Sequence, residues 1–94
     1  MGQPPSRERV KLAATPRFQR RTKKLTPEER RALARALRLF ERDPHDPRLG
    51  TPKLQGEHAN AWAFSFGFDA RVVFEWEGRT AVLLDVGSHD EVYG

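Results

Sequence analysis

The sequence predicts an α+β fold, two N-terminal helices packed on one face of a small, mostly antiparallel four-stranded sheet in the order β-α-α-β-β-β. Three observations carry this. Thr15-Pro16 and Thr26-Pro27 each set a capping hydroxyl before a proline at a first helical position, where its missing N–H costs nothing. At Ala61 the apolar pattern switches from the helical period to strict alternation. From there, apolar runs are separated by short turn signals, the pattern of a meander. The chain's 94 residues suffice for a single modest core. Residues 9 to 94 are therefore read as one domain, behind a loose polar leader over residues 1 to 8.

In chain order, Val10, Leu12 and Ala14 alternate with Arg9, Lys11 and Ala13, as in a half-buried strand. The first helix starts at Pro16, with Phe18, Thr22 and Leu25 kept for packing and Arg17, Arg20, Arg21, Lys23 and Lys24 crowding the remainder. In the second, Thr26 and Glu29 have capping-box spacing. Leu33, Ala36, Leu37 and Phe40 share one side, and Arg31, Arg35, Arg38 and Arg42 form a stripe almost opposite. Asp43-Pro44 ends that helix, because proline disfavours helical geometry in the residue before it. The stretch from there through Gly50 to Gly56 reads as loop, with Lys53 just upstream of the sheet. Trp62, Phe64, Phe66 and Phe68 then point one way as core. After a turn at Asp69-Ala70, Val72, Phe74 and Trp76 face opposite to Arg71, Val73 and Glu75. A second turn at Glu77-Gly78 leads into a last strand from Arg79 to Val86, and Gly87 releases the chain from it.

Composition narrows the function. The chain has no cysteine, and His45, His58 and His89 lie far apart, so no thiolate or paired-imidazole metal site is expected. No apolar run approaches a membrane span and the N-terminus lacks a signal-peptide core, so a cytoplasmic protein is expected. Net charge is +4 but unevenly divided: residues 1 to 53 carry 15 Lys/Arg against 6 Asp/Glu, and residues 54 to 94 carry 2 against 7. A half this basic suits a polyanion, nucleic acid above all, although an arginine-rich solvated face has the same composition. The end of the chain, Gly87-Ser88-His89-Asp90-Glu91-Val92-Tyr93-Gly94, sets a histidine and an aromatic beyond the last strand. Histidine exchanges a proton near neutrality wherever a scaffold aims it.

Taken together, Thr15-Pro16-Arg17-Phe18, Lys23-Lys24-Leu25, Asp43-Pro44, Lys53-Leu54-Gln55-Gly56, Trp62-Ala63-Phe64-Ser65, Arg71-Val72-Val73-Phe74 and Val86 to Tyr93 occur in an order that resembles the RelE/ParE superfamily of type II toxin-antitoxin toxins. The likeness covers about Val10 to Tyr93 and is nearest to the RelE, YoeB and YafQ mRNA interferases. It implies an endoribonuclease that cuts mRNA at the ribosome, inhibits translation and is held by a cognate antitoxin. The reaction it implies uses the RNA 2′-hydroxyl as nucleophile and needs neither metal nor cofactor.

By the same resemblance, His89 is the general acid or base, Arg71 holds the scissile phosphate, Tyr93 stacks on a base or donates to phosphate, and Lys53 neutralises phosphate. Arg31, Arg35, Arg38, Arg42, Lys23 and Lys24 are the expected RNA- or ribosome-binding cations. Among Asp69, Glu75, Asp85, Asp90 and Glu91, Glu75 is the best placed to orient His89 or act as base, since it shares a strand face with Arg71. YafQ-like members carry further histidines where this chain has Pro52 and Phe66. Two other functions fit the same fold: a ParE-like inhibitor of DNA gyrase, and a catalytically silent nucleic-acid-binding relative acting with an antitoxin.

Overall fold

Both Thr-Pro steps start helices. The computed structural model describes residues 9–50, 53–54, 61–67, 69–88 and 91–92, with 53–54 as backbone. Thr15 is extended and accepts from the Phe18 N–H at the head of α1, Pro16–Thr22. Thr26 and Glu29 exchange side-chain-to-backbone hydrogen bonds of 2.8 and 3.1 Å at the head of α2, Pro27–Arg42. That reciprocal box satisfies two of the N–H groups a helix start leaves unpaired.

The strands are β1 (Lys11–Ala14), β2 (Lys53–Leu54), β3 (Ala61–Phe66), β4 (Ala70–Glu77) and β5 (Thr80–Ser88), in the sheet order β1-β5-β4-β3-β2. Only β1 and β5 run parallel among the described pairs. All four expected strands are present, and β2 is a short addition from the stretch read as loop. Lys53 and Leu54 pair with Ala63 and Trp62, a contact two residues long and too short to show a period. A single 3-10 turn at Pro47–Leu49 precedes it, capped by Asp46. Hydrogen bonds from the Arg48 side chain and backbone hold the Asp46 carboxyl below its ordinary range.

Three boundaries differ from expectation. α1 stops at Thr22, so Leu25 packs on the core from the connection. The turn after β3 does not include Ala70, which already pairs with Phe66, and Gly67 and Asp69 are turn residues; Phe68 lies outside the described residues. The last strand runs to Ser88, so Gly87 and Ser88 are inside β5, opposite Arg71 and Ala70, and Gly87 does not release the chain. The β4–β5 hairpin closes over Gly78 and Arg79, with Gly78 at φ 62° in the first central position, a geometry that suits the strands' twist.

One face of the sheet takes both helices. Phe40, fully buried, lies 4.8 Å from Phe64, 4.9 Å from Phe74 and 5.8 Å from Trp76, between ring centroids. Leu33, Ala36 and Phe18 complete the helical side of this core, and Val72, Leu83 and Val86 much of the sheet side. β5 contributes through a bulge: Phe74 pairs with Leu83 and Val73 with Asp85, leaving Leu84 over. The extra residue shifts the alternation, so Ala81, Leu83 and Val86 all face the helices. On the second face, Ala61, Ala63 and Val73 form a small cluster covered by Leu84 and Val92. Residues 1 to 8, expected as a leader, are outside the described residues. Among those described, no helix is long and apolar enough to cross a membrane.

The Phe40 contacts set an energetic test. Phe40→Ala should lower unfolding free energy by about 3–5 kcal/mol in urea titrations, through lost transfer energy and the cavity left behind. Arg38→Ala, on the exposed face of the same helix, should stay within about 0.5 kcal/mol of wild type.

Candidate functional site

Arg71 opens β4 on the face away from the helices. Its direct partners are Ser65 on β3 and Gly87 on β5. Opposed residues in antiparallel strands point to the same side, so the guanidinium stands between a small hydroxyl and a residue with no side chain. One of its nitrogens, Nη1, donates to Ser65 Oγ. Arg71 and Ser65 are both half-buried. An arginine anchored through one nitrogen has further donors to offer an anion.

Val92 lies on this same face. It packs on the cluster of Ala61, Ala63 and Val73, one pleat along from Ser65 and Arg71. Ser88 and Glu91 bond reciprocally: the Ser88 N–H donates to Glu91 Oε1 at 2.8 Å, and the Glu91 N–H donates to Ser88 Oγ at 3.2 Å. This is a second capping box, and Ser88-His89-Asp90-Glu91 carries its S-x-x-E signature in the sequence. α1 braces it from the strand edge. Arg21 donates from Nε to Asp85 Oδ1 at 2.9 Å and from Nη2 to the Glu91 carbonyl at 3.4 Å. Arg17 reaches the other Asp85 oxygen at 3.4 Å. Asp85, its side chain 13% exposed, also accepts from the Val86 N–H within the bulge.

The residues expected to act together are distributed as follows. His89, Tyr93 and Asp90 lie outside the described residues, as does the side chain of Lys53; the Lys53 backbone pairs with Ala63, next to the Val73 that neighbours Arg71 on β4. Glu75 is not brought to Arg71. Four residues along a strand span about 13 Å, far beyond an ion pair, and Glu75 pairs instead with Ala61 and Val82. The carboxylate that the fold carries to Arg71's strand neighbour is Glu91. Arg31, Arg35, Arg38 and Arg42 are all exposed on α2, as are Lys23 and Lys24 after α1. The stripe points away from the sheet on the helix side, so it and Arg71 occupy opposite sides of the molecule. Arg31/Arg35 and Arg38/Arg42 are like-charged pairs at four-residue spacing, each costing the helix about 0.2–0.5 kcal/mol.

A cleft of ≈ 750 Å³ lies at the end of the sheet, under the α1–α2 connection. Phe66, Ala70 and Val86 form its apolar floor, and Arg71 does not line it. Its margin holds Glu28, Glu29, Asp69 and Glu91 against Arg21 and Lys24. Among the described lining residues carboxylates outnumber cations, which disfavours a phosphate in this cleft. Among the described residues, no group of three His, Cys, Asp or Glu is set to hold a metal ion.

No protein-family model and no curated protein matches the chain. Solved structures do. The RelBE2 toxin-antitoxin complex from Mycobacterium tuberculosis matches with a TM-score of 0.69 at 21% identity, over 86% of this chain and 99% of that one. A conserved hypothetical protein from Helicobacter pylori, solved in solution, gives 0.66 at 21% identity, over 88% and 98%. A copper-bound mutant toxin from Helicobacter pylori gives 0.62 at 23% identity, over 88% and 98%. The chain has the fold of RelE-like toxins.

Because Asp85 joins α1 to the β5 bulge through two arginines, Arg21 and Asp85 should be energetically coupled. A double-mutant cycle of Arg21→Ala and Asp85→Ala should give an interaction energy of about 0.5–3 kcal/mol by chemical denaturation.

Proposed function

We propose that this chain, built on the RelE-like fold, is the toxin of a type II toxin-antitoxin system and a metal-independent endoribonuclease that cleaves mRNA at the ribosome. The observation that carries the proposal is Arg71. It is a half-buried guanidinium tied to Ser65 on the face of the sheet opposite α1 and α2, with Val92 packed on the cluster beside it. The neighbour that bears the name of a toxin-antitoxin complex supports the same class and an antitoxin partner.

In the proposed reaction the RNA 2′-oxygen loses its proton and attacks the adjacent phosphorus. The bond to the 5′-oxygen breaks, leaving a 2′,3′-cyclic phosphate on one fragment and a protonated 5′-hydroxyl on the other. Arg71 holds the phosphoryl oxygens as negative charge gathers on them, where a fixed donor is worth most. His89 moves a proton as acid or base, Lys53 adds positive charge, and Tyr93 stacks on a base or donates to phosphate. The cations on α2, with Lys23 and Lys24, dock the protein on ribosomal RNA from the opposite side, so one molecule bridges the ribosome and the message.

Primer extension on a defined mRNA in a reconstituted translation system tests this. Wild-type protein should generate discrete new 5′ ends, and Arg71→Ala and His89→Ala should each slow their appearance by about 100-fold or more. Translation that continues with no cuts would move the assignment to gyrase inhibition or a silent nucleic-acid-binding partner of an antitoxin. The docking role has its own test. Arg35→Ala should weaken ribosome binding and make the salt dependence shallower by about one contact, leaving the single-turnover rate on saturating RNA unchanged.

A further inference from the structure

We propose that Glu91 is a positioning residue for this cleavage: its hydrogen-bonded pair with Ser88, seated over Gly87 and braced by Arg21, fixes the chain end against the face that carries Arg71. The inference rests on the nuclease reading and adds residues to which that reading assigned no part. Three independent features point to it.

The first is the reciprocal bonding of Ser88 and Glu91, which ties residue 91 to the last position of β5. In sequence His89 lies between the two bonded residues. The second is the seat. Gly87 faces Arg71 across the strands, and a methyl added at Gly87 would stand 2.6 Å from Glu91 Oε1 and 3.1 Å from Glu91 Cβ. The Glu91 side chain therefore occupies the space that any other residue at 87 would fill. Gly87 is not among the glycines with positive φ, so the backbone would accept alanine and only the close approach excludes it. The third is the brace, Arg21, which holds the Asp85 carboxylate and the Glu91 carbonyl together.

The work assigned to Glu91 is geometric. All three of its described polar contacts hold the turn: the carboxylate accepts from the Ser88 N–H, the N–H donates to Ser88 Oγ and the carbonyl accepts from Arg21. Glutamine can accept the same bond, since capping boxes take either residue. Alanine cannot.

The test is single-turnover and steady-state RNA cleavage by wild type, Glu91→Ala, Glu91→Gln, Ser88→Ala and Gly87→Ala, with amide hydrogen exchange at Ser88 measured alongside. Glu91→Ala, Ser88→Ala and Gly87→Ala should lower kcat on the order of 10- to 100-fold with little change in KM, as expected when reacting groups are displaced by about an ångström. Their Ser88 amide should exchange faster. Glu91→Gln should retain both the wild-type kcat and the slow exchange. Glu91→Ala cleaving at the wild-type rate overturns the proposal. So does Glu91→Gln failing as badly as Glu91→Ala while the Ser88 amide stays protected, because the charge rather than the geometry would then matter. Wild-type protein that cuts no RNA yet protects the Ser88 amide overturns the nuclease reading itself, and this role with it.

Discussion

The fold depends on one ring. Phe40 is surrounded by Phe64, Phe74 and Trp76 from adjacent strands, and its burial joins the last turn of α2 to the middle of the sheet. A helix docked at one end through so large a side chain needs a second point of attachment, which the smaller Leu33 and Ala36 supply toward its start. With the helices committed to that face, the other is left to a thin cover of Leu84 and Val92. The polar residues Ser65 and Arg71 can exist beside that cover because α1 and α2 both pack on the other face. A site on the open face is thus a consequence of where the aromatic core lies.

The second constraint is the bulge in β5. Without the extra residue at Leu84, strict alternation from Ala81 would turn Val86 outward. With it, Val86 stays in the core, and Asp85 is left at the edge within reach of both Arg17 and Arg21. One irregularity therefore completes the core and creates the anchor for α1.

Much of this was legible in the sequence, for reasons that can be named. Thr15-Pro16 and Thr26-Pro27 are local signals that act through their own backbone, and both mark helix starts. The alternation from Ala61 found β3, and Arg71 was found at the head of the next strand on the less apolar face. What escaped was set by tertiary contact. β2 is two residues long, and neither of them is patterned. The extension of β5 through Gly87 depends on pairing with Arg71, which no local preference of glycine reveals. Glu75 looked suitable because it shares a face with Arg71, but a strand separates such residues where a helix would stack them. The Ser88–Glu91 signature stands in the letters, but its capping role depends on the last strand reaching Ser88, which local pattern does not reveal.

The parallel pairing of β1 with β5 has a consequence for how the protein is made. Lys11 finds its strand partner in Thr80, and β5 lies between β1 and β4 in the sheet. As the chain emerges from its N-terminal end, β1 and both helices are complete long before the strand that closes the sheet against them exists. Contacts so distant in sequence make folding slow and keep it waiting on β5. The face bearing Arg71 is then assembled only once residues 80 to 88 have been made, so a translating ribosome carries β1, both helices and β3 before the strand that unites them exists.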